Sequence, residues 1–380
     1  MSRNLTKIFN NDIKTASNEP DHEYIDFNVV NSTNTSTELN FTDNKVSSII
    51  TNAGDYYVAV SRFTLDCQNV PVFIPIIQKG QTDPNLTIYS FTLQYKTFLY
   101  RKYVEWIPQY KNSIVQQPLI RQDLSNNYYF TNSFSHVIEC FNDTLSQCFV
   151  ELQSLTNELE NKTAPYITFD PSTKEMIIST TEDYDVKTAV NPIYIWCNSA
   201  LQMLLNGFRW DNYGENQLNG LDYRLNIYND NNFNKIVDAD DNVTIQAYEE
   251  TASVVCFNPV SSISFKCQML PMNPSIVGDP REFGTDNKMQ YTSTNLTSPQ
   301  ITDFTVALDN NTISYYPRVD LPATNIYRLI DLVGHGYITH LNISCVWKDH
   351  YNNEYPLKLK PYASSNMKLV FRKKSYNNDL

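Results

Sequence analysis

Side chains able to do chemistry are sparse in this 380-residue chain. The five histidines, His22, His136, His335, His340 and His350, form no H-E-x-x-H pair or other metal-ligand spacing, although the last three share one region. Satisfied or surface histidines are the simpler reading. Seven cysteines (Cys67, Cys140, Cys148, Cys197, Cys256, Cys267, Cys345) are odd in number and never spaced C-x-x-C. A chain long enough to bury a core needs no staples, so they read as buried free thiols made in a reducing compartment. Asp238, Asp240, Asn242 and Glu249 match positions of a calcium loop, but Val243 stands where the sharp turn requires glycine. Because Val243–Tyr248 also alternates like a strand, an exposed turn entering a strand is expected there, and neither metal nor cofactor.

Catalytic signatures are equally thin. No G-x-S-x-G surrounds a serine, and nine glycines leave little for a phosphate-cradling loop. Glu249 with Glu250, or Glu158 with Glu160, could flank a glycosidic bond, and Trp106, Trp196, Trp210 and Trp347 could stack on sugars. Solvated acids and core or interface tryptophans explain the same residues more simply. The expectation is therefore a protein that is not an enzyme. A carbohydrate- or receptor-binding β-sandwich, such as a fibre or spike component, and a glycan-active enzyme on a β scaffold remain as alternatives.

The elements that would position these groups are mostly strands. Tyr24–Val29, Asp55–Leu65 and Leu86–Tyr95 alternate or run extended, as do Ala252–Phe257, Ser261–Cys267, Ile301–Val306, Ile326–Leu332, Tyr337–Trp347, Tyr355–Leu359 and Met367–Arg372. In Asp55–Leu65 either Tyr56, Val58 and Val60 or the opposite set faces a core, with Arg62 or Asp66 marking an end. Val70–Ile77 is punctuated by Pro71 and Pro75, which belongs at a sheet border or subunit contact because proline cannot donate to a ladder. Between Thr131 and Lys162 the period changes to 3.6: Phe134, Val137, Ile138, Phe141, Leu145, Cys148, Phe149, Leu152, Leu155 and Leu159 form one stripe, predicting a long amphipathic helix behind a Ser or Asn cap. A hairpin follows around Asp170–Thr173, then a short helix over Ser199–Asn206 closed by Gly207. Residues 1–21 read as a flexible arm and 375–380 as a polar tail.

Composition agrees with a β protein. Aromatics reach 13% with 26 tyrosines, while charged residues make up only 18%. The net charge of −12 opposes a nucleic-acid-wrapping role, so nucleic-acid contact is expected to be local at most. The compact basic cluster Arg372, Lys373 and Lys374 is its one candidate, and a solvated strand end accounts for it as well. No apolar stretch suits a secretory signal or membrane span.

Two phrases carry a family likeness. Asp55-Tyr56-Tyr57-Val58-Ala59-Val60-Ser61-Arg62-Phe63, running on to Val70-Pro71-Val72-Phe73-Ile74-Pro75, resembles the N-terminal strands of penton and minor-capsid proteins from double-stranded DNA viruses of the adenovirus, polinton and virophage type. Tyr327–Leu332, Val346–Asp349, Tyr355–Leu357 and Met367–Lys374 are similar to their closing strands. The resemblance implies a mainly β fold: a single jelly-roll sandwich from residues 22–95 and 251–374, with an inserted α/β subdomain over 96–250. It further implies a virion location, pentamers at fivefold vertices, contact with a major capsid protein, and a host receptor as a further partner. No Arg-Gly-Asp occurs, so integrin-type binding is not carried over. On this reading Val70, Pro71, Phe73, Pro75, Tyr103, Trp106, Tyr315 and Tyr316 are expected between subunits, and Trp106→Ala or Tyr103→Ala should weaken oligomers while sparing the fold.

Overall fold

Alternation of apolar side chains fixes where the strands fall, and bulges fix where it changes phase. The computed structural model describes residues 22–66, 69–80, 82–109, 122, 124, 126–214, 221–228, 235–237, 243–276, 281–283, 289–291, 297–305, 318–322 and 329–374. The expected arm at 1–21, the tail at 375–380, Cys67, Asp238, Asp240, Asn242, Tyr315 and Tyr316 lie outside these residues. Along the chain come β1 (His22–Val30), β2 (Asn40–Asn44) and β3 (Tyr56–Asp66). They are followed by β4 (Leu86–Tyr95), β5 (Phe98–Glu105), α1 (Phe134–Leu155), β6 (Tyr166–Asp170), β7 (Glu175–Thr181) and β8 (Ile193–Cys197). Next are α2 (Ser199–Leu204), β9 (Trp210–Asn212), β10 (Tyr223–Leu225), β11 (Lys235–Val237) and β12 (Val243–Tyr248). The chain ends with β13 (Ser262–Lys266), β14 (Gln300–Thr305), β15 (Arg318–Pro322), β16 (Ile330–Asp331), β17 (His340–Lys348), β18 (Glu354–Pro356) and β19 (Ser364–Lys373).

The chain divides into two units. One contains β1–β3 with β13–β19, and the other is built on residues 67–261. In the first, one antiparallel sheet runs β1-β19-β3-β15 with β16 also on β3, and the other runs β14-β13-β17-β18 with β2 also on β17. Of the strands β1, β2, β3, β13, β14, β15, β17 and β19, the first, eighth, third and sixth are neighbours in one sheet. The second, seventh, fourth and fifth are neighbours in the other. That interleaving is a jelly roll. The two sheets meet where Phe63 packs edge-on against Phe41 and Phe265, with Phe27 and Phe304 alongside. Within β3, Tyr56, Val58 and Val60 face inward, and then the register to β19 slips by one residue at Ser61, so that Phe63 and Leu65 take over. Arg62 therefore marks a bulge and not a strand end.

The boundaries differ from those expected. Leu86–Tyr95 alternates as well as any sandwich strand, yet it pairs with β5 and β8 in the second unit, whose chain starts after Asp66 and not at residue 96. At the far end Ser253–Phe257, expected as a strand, is a short 3-10 helix, and the sandwich resumes at Ser262. Local alternation specifies a strand but not its partner.

The second unit holds a five-stranded sheet, β9-β10-β8-β4-β5, and a four-stranded one, β11-β12-β7-β6. Helix α1 packs on β4 and β5 of one and β6 of the other. Its buried stripe is the expected one as far as Leu152, while Leu155 is exposed and Leu159 is buried from a separate short turn. Ser133 precedes the helix without a side-chain cap bond. The Asn142 amide replaces a missing sheet neighbour by donating to Ile167 O (2.8 Å) and accepting from Ile167 N (2.7 Å) on β6. Gly207 does not close α2 in a left-handed turn. A Cβ there would lie 2.1 Å from Thr251 O, and its N–H donates to Ser253 Oγ (2.7 Å), so glycine allows two backbones to touch. Among the described residues no helix is long and apolar enough to cross a membrane.

Candidate assembly surfaces

The segment expected between subunits is instead interior to the second unit. Val70, Pro71, Phe73 and Pro75 are buried, and only Ile76 of Val70–Ile77 is exposed. The prolines keep the segment out of a ladder, as anticipated, but single bridges take over: Val72 N donates to Thr131 O, Thr131 N to Phe73 O, and Ile77 N to Gln122 Oε1. Phe73 lies against Tyr89, Trp106 and Phe257. Trp106, 2% exposed, donates from Nε1 to Tyr128 O (3.3 Å) and stands edge-on to His136. Burial pushes the neighbouring Tyr129 hydroxyl up to about 12 while its O–H donates to Pro84 O. Of these interface candidates, Tyr103 alone is described on a surface. It is half-buried on β5 with the Arg101 guanidinium 4.5 Å from its ring centre.

The basic cluster is divided. Arg372 and Lys373 belong to β19 opposite Tyr57 and Tyr56, and Lys374 is tied to the Asp331 carboxylate and Leu332 O. It is the pinned end of a strand, with its charge partly neutralised.

Groups weighed for chemistry also disperse. Glu249 is buried and accepts from Met176 N (2.8 Å), whereas Glu250 pairs with Arg209. Glu158 binds Lys96 and Tyr95. Trp106 and Trp347 are fully enclosed. Cys140, Cys148, Cys197, Cys267 and Cys345 are free and buried, with burial raising Cys140 to about 11 and Cys148 to about 12, far from reactive thiolates. No metal-holding group of His, Cys, Asp or Glu occurs among the described residues. A cavity of ≈510 Å³ in the sandwich is lined mainly by polar groups, among them Glu23, Asp26, Asp43 and Lys45. It is not the apolar, convergent pocket of a small-molecule site.

The sandwich instead offers stiff rims. At one end Asn31 Nδ2 donates to Leu359 O and Lys360 O while Asn31 N donates to Ala363 O, joining the β1–β2 loop to the β18–β19 loop. At the other, Ala53 N donates to Gly336 O, Gly54 N to Gly334 O and Val333 N to Pro271 O. These loops hold large rings in solvent, Tyr337 73% and Tyr362 75% exposed, and the β17–β18 turn, closed by the Asp349 carboxylate, holds Tyr351 at 58%. Tyr362 also has φ 62°, a left-handed conformation that costs an L-residue about 1–2 kcal/mol. A strained, exposed aromatic is a functional signal that burial alone would not give. No periodicity singles out these tyrosines, although each sits among turn residues, as in His350-Tyr351-Asn352-Asn353 and Pro361-Tyr362.

The model of the family "Sputnik minor capsid protein V18/19" matches residues 24–373. Protein V18 of Sputnik virophage is 28% identical over 113 residues, which is 28% of this chain and 68% of V18. Structural protein V19 of the same virophage is 25% identical over 211 residues, 54% of this chain and 93% of V19. A chain in the cryo-EM structure of the Sputnik virophage superposes with a TM-score of 0.78 at 24% identity, covering 94% of this chain and 99% of that one. The crystal structure of the mavirus penton protein gives 0.60 at 16% identity, covering 93% and 99%. At these identities the two structures speak for a shared fold.

Proposed function

The chain belongs to the Sputnik minor capsid protein V18/19 family and is a structural protein of a viral capsid; from that premise we propose that it forms the pentamers of fivefold vertices and contacts the major capsid protein there. Five copies around an axis need one heterologous contact per subunit that closes on itself. A jelly roll supplies it from its loops and sheet edges, which leaves the interior free to be a core. The observation that carries the reading is Tyr362, an exposed ring held at φ 62° on a rim fastened by Asn31. Tyrosine at a contact centre brings large rigid area at small entropic cost. The mavirus penton protein, nearly all of which this fold covers, favours the vertex over other capsid positions. Free, buried cysteines favour synthesis in a reducing compartment.

The test is the oligomer mass of Tyr351→Ser, Tyr362→Ser and the double variant by light scattering at matched concentration. The singles should dissociate more readily than wild type and the double most, with unchanged melting temperature. A double variant with the wild-type mass profile would contradict the rim reading.

A further inference from the structure

One face of the five-stranded sheet carries an arrangement that is not part of the sandwich rims. Asp211, Arg224, Trp196, Thr92 and Arg101 are register partners in succession across β9, β10, β8, β4 and β5. They form one row about 19 Å long, four inter-strand spacings. Tyr194, two residues from Trp196 on the same face, and Tyr213, two residues beyond Asp211, flank the row. The Arg224 guanidinium lies 5.1 Å from the ring centre of Tyr194, 5.9 Å from Trp196 and 5.2 Å from Tyr213. Arg224 Nη2 donates to Asp211 Oδ2 (2.7 Å), and Asn226 Nδ2 donates to Asp211 Oδ1 (2.7 Å). Trp196 Nε1 is held by Gln94 Oε1 (2.9 Å).

Three features separate this cluster from an ordinary solvated sheet face. Arg224 spends one of its five N–H groups on an acceptor, and its Nε is enclosed with none. Asp211 has each oxygen fixed by one donor, which orients the carboxylate and leaves a lone pair on each oxygen. Those bonds, from Asn226 first and then Arg224, hold its pKa below the usual carboxylate value, so it stays an acceptor. Tyr213 remains 44% exposed beside them.

We propose that this face binds a neutral glycan, one sugar ring stacking on Tyr213 with adjacent hydroxyls donating to Asp211 and accepting from Arg224. A sugar ring presents C–H groups on its face and paired hydroxyls on its rim, which suits an aromatic ring beside a fixed carboxylate–guanidinium pair. A neutral ligand is favoured over an acidic one because Asp211 already neutralises Arg224 and the chain carries net charge −12. Trp196 and Thr92, farther along the row, are buried, so the accessible part of the site is the Tyr213, Asp211 and Arg224 end.

The labelled full-length chain is applied to an array of glucose-, mannose-, galactose- and N-acetylglucosamine-terminated glycans with sialylated ones beside them, together with Tyr213→Ala, Tyr213→Phe and Asp211→Asn. Wild type and Tyr213→Phe should bind at least one neutral class, while Tyr213→Ala and Asp211→Asn lose about tenfold or more, or 1.4 kcal/mol. Circular dichroism and light scattering on the same preparations report fold and oligomer separately, and Asp211→Asn, which is isosteric, decides the matter if Tyr213→Ala misfolds. Absence of neutral-glycan binding by wild type, binding only to sialylated glycans, or full binding by Asp211→Asn overturns the proposal.

Discussion

In the sandwich, Phe27, Phe41, Phe63, Phe265 and Phe304 meet ring to ring with no polar atom to satisfy. In the inserted unit the large buried rings are tethered: Trp106 to Tyr128 O, Tyr129 to Pro84 O, Tyr184 to Thr163 O. Polar clamps join them, with Asn142 on Ile167, Asn198 on Ile88 and Ser90, and Glu249 on Met176. A core made only of hydrocarbon tolerates substitutions that keep volume, whereas a clamp leaves an unsatisfied partner whenever it is cut. The aromatic centre of the sandwich is thus specified by pattern, and the core of the other unit by particular bonds between residues far apart in sequence.

That contrast is sharpest for Trp106→Ala. The change removes a large buried ring and orphans Tyr128 O, so it should destabilise the inserted unit by about 3–5 kcal/mol in denaturant unfolding. Leu369→Met, at an equally enclosed site in β19, should cost less than about 1.5 kcal/mol. Equal costs would remove the distinction. The outcome expected from sequence, oligomer loss from Trp106→Ala without loss of stability, is excluded by the residue's internal position.

A smaller effect should follow pH. Burial raises the Glu249 carboxyl above its ordinary value, against the lowering bonds from Ser253 and Met176. The native state then holds this proton more tightly than the unfolded chain. Its stabilising contribution is complete below the ordinary carboxylate pKa and is lost as pH rises through the raised value. Glu249→Gln should therefore compare more favourably with wild type at about pH 7 than at about pH 4. A variant whose melting temperature differs from wild type by the same amount at both values would show that the carboxylate is not strained by burial.

What could be read from the sequence follows the same division. Strands β3, β13, β17 and β19 and the stripe of α1 were legible because each encodes its buried face in its own spacing. Leu86–Tyr95 is legible as a strand but not in its membership, since one of its two partners lies about a hundred residues on at Ile193–Cys197. Prolines keep Val70–Ile77 out of a ladder, but they say nothing about whether solvent, a neighbour or Trp106 covers Phe73. The assembly surface was hardest to see. Exposure of Tyr337 and Tyr362 is set by loop bonds from Ala53, Gly54 and Asn31, and no local period records such bonds.

The division of labour between welded rims and a bonded insertion rests on the rims closing a ring, and electron microscopy of the purified full-length chain tests this most directly. Class averages should show closed rings of fivefold symmetry. Monomers at concentrations where a capsid protein would assemble, or rings of another symmetry, would contradict the account.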